Sequence, residues 1–387
     1  MNQKNALGQF YTPSNIAELV VEKALGLVSA PRTAIELAAG EGHLLVALNE
    51  KSVKTEIYAI DIDADNCKKI KKKHPNFYVY NADTTKDLSF LYDDFFDLAL
   101  GNPPFLSNTL VNTDLNVLLK EVLGIDIKIG KKVRVEYVFI AKYLKLLKEG
   151  GVLAIILPES IISGARAEHF RKAISERVEI LELLELSGNP FISTEAKTHV
   201  LFLRKSSRAN KNIKISKLEE CNGISSRYIL KDDAIFRMDY SYHFVKNVTS
   251  HVEEQKARIL STYAEISRGK YTHKILKTLN NDYIHSTNFN LNHSHSNKPE
   301  VGPDYVLHGD IIMCRVGSRV VGKAREYLGD PVLYSDCIYK IRFKDKKMKF
   351  LFMDYINSIK GFNKIKSISR GVCARYITKS DLESLWF

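Results

Sequence analysis

Between Asp97 and Phe105 the chain reads Asp-Leu-Ala-Leu-Gly-Asn-Pro-Pro-Phe, and these residues are the best suited to chemistry. Asn102 brings a side-chain carbonyl, the Pro103 main chain a second acceptor and Phe105 a flat ring. Pro103 and Pro104 stiffen the backbone, and Pro103 has no N–H to engage its neighbours. Two acceptors beside an aromatic face suit an exocyclic amine on a planar base. The same residues also make a merely rigid loop after a strand, so the motif alone leaves both readings open. The run before it, acidic and then apolar up to Gly101, has the pattern of a buried parallel strand that ends in a site.

The elements that must hold this stretch alternate as in an α/β domain. Residues 34–39 are a short apolar run ending in Gly40-Glu41-Gly42, after which 43–49 take helical periodicity. Strand, glycine turn and helix open a nucleotide-type unit whose backbone can approach a ligand closely. Residues 56–60 end at Asp61-Ile62-Asp63, where a carboxylate accepts from ribose hydroxyls in such folds. Residues 76–80 deliver Asn81-Ala82-Asp83. Four successive strands therefore end in glycine, acid or Asn102, and ligands of open α/β sheets bind at those carboxyl ends. Upstream, Gly8-Gln9-Phe10-Tyr11-Thr12-Pro13 leads into an amphipathic helix whose first N–H groups could meet a carboxylate. Residues 107–134 interrupt the alternation with a long loop of functional or mobile type. A helix over 135–149, a strand over 152–157, a helix near 165–175 and strands over 178–186 and 198–203 complete the pattern, with Gly188-Asn189-Pro190-Phe191 turning between the last two.

A chain of 387 residues, 45% apolar and 26% charged, fits a soluble globular protein with two domains. Its net charge of +12 is uneven: Lys+Arg against Asp+Glu stands at 26 to 26 over residues 1–205 and 31 to 19 over 206–387. That asymmetry points to a core plus a polyanion-binding module, with nucleic acid the first candidate and an anionic membrane surface the second. The polar stretch 206–212 sets the expected boundary, giving domains 1–205 and 206–387. Beyond it come short β-like runs at 213–215, 304–307, 310–316, 320–324 and 337–343, and one late helix at 349–358. Residues 280–299 read as an irregular loop, with His285, His293 and His295 as solvent-exposed histidines. Five scattered cysteines form no C-x-x-C pair, so no metal site or disulfide framework is expected and a reducing compartment fits. No apolar run reaches membrane-spanning length and no leader-like segment opens the chain, so the expectation is a cytoplasmic protein without membrane contact.

In their order, Gly8 to Pro13, Glu36-Leu37-Ala38-Ala39-Gly40-Glu41-Gly42, Ile60-Asp61, Asp83 and Asn102-Pro103-Pro104-Phe105 resemble the gamma-class adenine-N6 DNA methyltransferases. The likeness covers about the first half of the chain. The second part more loosely resembles a target-recognition domain of the type I specificity-subunit kind, through 260–269, Gly309-Asp310-Ile311-Ile312, Arg315-Val316-Gly317-Ser318, Gly322-Lys323 and 377–382. The resemblance implies a Rossmann-like α/β domain with a mixed seven-stranded sheet, followed by a smaller α+β recognition domain. It implies S-adenosylmethionine as methyl donor. Asp61, with Ile62 beside it, would serve the ribose hydroxyls, and Asp83 the adenine amine. Ala38, Gly40 and Gly42 would make the close backbone contact, Glu36 and Thr12 would hold the methionine end, and Asn102 would border the same site. It also implies double-stranded DNA as substrate, with an adenine flipped between Phe105 and Phe191. The catalytic set would be Asn102, Pro103, Pro104 and Phe105, with no His or Glu as general base. Arg315 and Lys323, and further Arg319, Arg325, Arg370 and Arg375, are candidates for phosphates and base edges. Ala38-Ala39 departs from the Asp or Pro and Cys often found before the glycine, at positions where the backbone makes the key contacts.

Two other readings compete. The Asn-Pro-Pro-Phe motif is shared with some RNA and protein-glutamine methyltransferases, and a DNA-binding specificity protein could carry an inactive methylase half. Intact Asn102 to Phe105, Asp61 and Gly40 to Gly42 argue against the latter. No nuclease-like cluster of Asp, Glu and Lys stands outside these motifs, so DNA cleavage would fall to a cognate restriction endonuclease, with the chain itself a monomer or dimer.

Overall fold

The computed structural model describes residues 12–105, 108–186, 197–206, 210–219, 223–244, 258–279, 282–294, 302–317, 319–371 and 374–387. The chain divides into two units, Met1–Tyr240 and Ser241–Phe387. In the first, the alternation read from the sequence forms strands β1 (Thr33–Glu36), β2 (Glu56–Asp61), β3 (Tyr78–Asn81) and β4 (Phe96–Gly101). A small antiparallel pair, β5 (Asn108–Leu110) and β6 (Lys132–Arg134), follows. Then come β7 (Leu147–Pro158), β8 (Glu179–Glu185), β9 (Thr198–Arg204), β10 (Asn212–Leu218) and β11 (Ile224–Leu230).

Nine of these strands form one sheet in the order β11-β10-β8-β9-β7-β4-β1-β2-β3. From β3 to β7 every pair is parallel, and β9 runs antiparallel to both β7 and β8. Its central strands are apolar at nearly every position because both faces are covered. Along β7, Val152, Ala154 and Ile156 join one apolar cluster, while Leu153, Ile155 and Leu157 join the other. The first cluster is closed by helices Ser14–Leu25 and His43–Lys51 through Ile16, Val20, Leu44 and Leu48. The second is closed by helices Val135–Leu146 and Glu168–Arg177 through Val138, Phe170 and Ile174.

The sheet corrects two expectations. It has nine strands rather than seven, and the first unit runs to Tyr240 rather than ending at 205. The unit continues past the polar stretch, of which residues 207–209 lie outside the described residues: β10 pairs in parallel with β8, Lys214 opposite Glu182, and Ile213, Ile215 and Ile229 sink into the core. The helix expected over 135–149 stops at Leu146, because Leu147 already pairs with Phe96 in the sheet.

In the second unit, β12 (Ala264–Arg268), β15 (Ile311–Cys314), β16 (Ala324–Glu326) and β18 (Ile338–Phe343) make an antiparallel sheet ordered β12-β18-β15-β16. A smaller sheet joins β13 (Tyr283–Ile284), β17 (Val332–Tyr334) and β14 (Tyr305–Val306). The late helix spans Lys346–Asn357, and a second, Ile359–Ile368, follows at once. Ser358 caps that second helix by accepting from the Gly361 N–H. His285 is buried rather than exposed, with Nδ1 2.8 Å from Ser335 Oγ, and His293 lies 3.5 Å from Asp282. Redrawn at Tyr240, the charge balance is 33 to 31 in the first unit and 24 to 14 in the second, so the excess stays with the second. Among the described residues, no helix is long and apolar enough to cross a membrane, and no cluster of three His, Cys, Asp or Glu could hold a metal ion.

Arg171 joins the extra strands to the rest of the first unit. Fully buried, it donates to the carbonyls of Ile161 and Gly164 after β7, at 2.9 and 2.8 Å, and to Ile235 and Phe236 after β11, at 2.8 and 2.5 Å. Arg171→Met leaves these buried carbonyls without their donor and should lower the unfolding free energy by roughly 3 kcal/mol, read as a lower urea midpoint at unchanged slope.

Candidate active site

The parallel register fixes where the site lies. Glu36, the last residue of β1, stands opposite Ala59 of β2 on one side and Leu100 of β4 on the other. Asp61 and Asn102 each come two residues later, so all three side chains emerge along one edge of the sheet. Tyr143 locks β1 to β4. Its hydroxyl donates to the Leu100 carbonyl at 2.7 Å and accepts from the Leu37 N–H at 2.8 Å. The ring fits because Gly101 has no side chain; a Cβ there would lie 2.7 Å from the Tyr143 hydroxyl. Thr84, leaving β3, adds a third tie by donating to the Leu37 carbonyl at 2.5 Å.

The glycine turn is tied to the acid after β2. Gly40 and Gly42 both take positive φ, +55° and +83°, the region that favours glycine. Asp61 accepts from the Gly40 N–H at 2.6 Å through one oxygen and from the Asp63 N–H at 2.7 Å through the other. Ala38 lies partly buried at the turn, and the neighbouring Ala39 N–H bonds the Ile60 carbonyl at 2.9 Å. Ile62, beside Asp61, is 53% exposed.

Two buried acids meet here. Glu36 is 2% exposed, and its Oε2 has no hydrogen-bond partner among the described residues. Burial first, and then the charge of Asp61, hold its carboxyl well above the usual range. Asp61 is raised too, mainly by burial, with the N–H groups of Asp63 and Gly40 and the Asn66 side chain working against the shift. Two buried acids of this kind favour a cationic ligand.

Asn102 is held by its amino end: Nδ2 donates to Thr12 Oγ1 at 3.0 Å. The Thr12 main chain continues the connection, its carbonyl lying 2.6 Å from His43 Nδ1. Pro103 is buried and Pro104 half-buried. Phe105 departs from the expectation of an open stacking face, being 5% exposed and packed in the apolar cluster that includes Ile16 and Val20. Asp83 forms a local turn, one oxygen accepting from the N–H and hydroxyl of Thr85 at 2.8 and 2.7 Å. Phe10, Tyr11 and Phe191 lie outside the described residues. Thr12, Glu36, Gly40, Asp61 and Asn102 are thus brought together around three strand ends, and His43 joins them unforeseen. Its signal in the sequence was a polar residue opening a helix immediately after a G-x-G turn.

The basic candidates of the second unit separate by partner. Arg370 is 3% exposed and forms a two-pronged pair with Asp381 at 2.7 and 2.6 Å, so it serves the fold. Arg325 is spent on the carbonyls of Phe289, Leu291 and Glu326 and on Asn292. Arg315 donates through Nε to the Asp336 carbonyl and is half-buried, as is Arg375. Arg319 and Lys323 are exposed.

A sheet of this order, with a glycine turn, an acid and an Asn-Pro-Pro-Phe bend at its carboxyl edge, defines a Rossmann-like methyltransferase fold. The chain belongs to the N-6 DNA Methylase family, whose model matches residues 1–301. It is 25% identical over 219 residues to the Type I restriction enzyme MpnII methylase subunit of Mycoplasma pneumoniae, covering 51% of this chain and 40% of that protein. It is also 25% identical over 258 residues to the Type II methyltransferase M.HincII of Haemophilus influenzae, covering 65% and 46%. The crystal structure of the type IIG restriction endonuclease BpuSI shares the fold, with a TM-score of 0.56 at 11% identity over 99% of this chain and 59% of that one. The chain spans about half the length of the curated relatives it matches.

Glu36 supplies a stability test of the site. Its carboxyl binds a proton more tightly folded than unfolded, so its contribution to stability is greatest below the ordinary value of 4.5 and is lost as pH rises. Glu36→Gln should match the wild-type melting temperature near pH 4 and exceed it by roughly 3 °C at neutral pH.

Proposed function

We propose that this chain is a site-specific DNA methyltransferase that transfers a methyl group from S-adenosylmethionine to N6 of an adenine in double-stranded DNA, within a restriction-modification system. The observation that carries the reading is the Asn102 amide, pinned by Nδ2 to Thr12 beside two buried carboxylates at the ends of adjacent strands. The residues present fit the donor. Glu36, with one oxygen unpartnered, would take an ammonium group. Asp61 would accept from hydroxyls with the lone pairs left by its backbone bonds, Asp83 would meet an amine, and Gly40 and Gly42 would let the main chain come close. When bound, S-adenosylmethionine would supply an electrophilic methyl group on a cationic sulfur.

The remaining chemistry falls to the chain. The target base must leave the duplex, at a cost of a few kcal/mol. Asn102 Oδ1 and the Pro103 carbonyl would each accept one hydrogen of its amine, drawing the nitrogen lone pair out of conjugation. With the amine so oriented, no covalent enzyme intermediate is required, and positioning supplies much of the acceleration. Stacking by Phe105 would require its ring to be uncovered as the base enters. The second unit, with its excess of positive charge and exposed Arg319 and Lys323, would hold the duplex and read the site. A cognate endonuclease would act on the unmethylated sequence.

Asn102→Ala should lower methyl transfer to DNA by at least about 1,000-fold while leaving cofactor-product affinity within a few-fold. Asp61→Ala should instead weaken that affinity about 10-fold or more, measured by calorimetry. Residual full activity in Asn102→Ala would refute the role, and label appearing in RNA or protein rather than DNA would move the assignment to another acceptor class. Binding of the wild-type protein to duplex DNA should fall steeply as salt rises, and a flat response would contradict phosphate contact by the second unit.

A further inference from the structure

His43 lies between the glycine turn and the Asn102 amide without an assigned role. We propose that it is a positioning residue: by holding Thr12 it fixes the direction of the Asn102 side chain. The inference rests on the reading of Asn102 as the group that grips the amine.

A backbone carbonyl only accepts, so at 2.6 Å from the Thr12 oxygen the imidazole must donate its Nδ1–H. Thr12 is 5% exposed, and without His43 its carbonyl loses this donor in a buried place. The hydroxyl of the same residue accepts from Asn102 Nδ2 at 3.0 Å. That bond commits the amino end of the amide to Thr12 and turns its carbonyl end elsewhere, which is the orientation an amine acceptor needs. His43 is itself fixed, as the first residue of helix His43–Lys51 directly after Gly42. The imidazole thus links the glycine turn to the Asn102 amide through one intervening residue, so the two halves of the site are aimed together.

The test compares two substitutions. His43→Phe keeps a ring but removes the donor, whereas His43→Asn keeps an N–H near the Nδ1 position. In the full chain acting on duplex DNA, His43→Phe should reduce kcat about 10- to 100-fold, the scale set by a misplaced reacting group, with a smaller change in the KM for donor. His43→Asn should recover to within about threefold of wild type, and His43→Phe should add little in a Thr12→Val background. Independently of activity, the Asn102 side-chain amide, followed by NMR in the DNA-free protein, should exchange slowly in wild type and His43→Asn and faster in His43→Phe. Unchanged amide exchange and unchanged kcat in His43→Phe would overturn the proposal, as would equal impairment of the Phe and Asn variants. A wild-type protein that methylates no DNA would count against the proposed function, while amide exchange would still decide the connection.

Discussion

Parallel pairing of β1 with β2 on one side and β4 on the other is the constraint on which the rest depends. It sets three strand ends level, so residues far apart in sequence arrive at one edge. Pairing alone would leave β1 and β4 free to splay beyond their last shared hydrogen bond. Tyr143 prevents that by inserting one hydroxyl between the Leu37 N–H and the Leu100 carbonyl. The missing side chain at Gly101 is what admits the ring, which explains a glycine at the end of an otherwise apolar strand. The helix carrying Tyr143 is therefore part of the site.

The same alignment creates an electrostatic problem. Glu36 and Asp61 are both buried, the charge of Asp61 adds to the cost of ionising Glu36, and only Asp61 is well supplied with N–H donors. Such an arrangement subtracts from the stability of the fold. It also means that a cation entering the pocket relieves a stress already present. The surrounding sheet, covered on both faces, supplies the stability that makes this tolerable.

Much of the first unit was legible because its signals are local. Apolar runs ending in Gly, Asp or Asn gave β1 to β4 within a few residues, and the order of motifs gave the family. What escaped depended on partners distant in sequence. Residues 206–212 look like a linker, and nothing local says that Ile213 and Ile215 will be buried beside Glu182 and Leu183 of β8. Arg325 and Arg370 look like phosphate ligands until their partners, Phe289 and Leu291 for one and Asp381 for the other, are seen. Phe105 was expected to face a base, and its ring is instead buried in the same apolar cluster as Ile16 and Val20 of the helix beginning at Ser14. Gly361 hid a helix because Ser358 supplies the cap that lets a glycine sit in its first turn.

The attachment of β10 along β8 has a practical consequence for dissecting the molecule. A catalytic fragment cut in the polar stretch at 206–212 would strip β8 of its neighbour, baring a row of main-chain donors and acceptors beside an apolar surface. Such a truncation would invite aggregation whatever the merit of its chemistry. A soluble catalytic fragment has to retain the hairpin of β10 and β11 and the turn of helix that Arg171 clasps, and so has to extend as far as Tyr240.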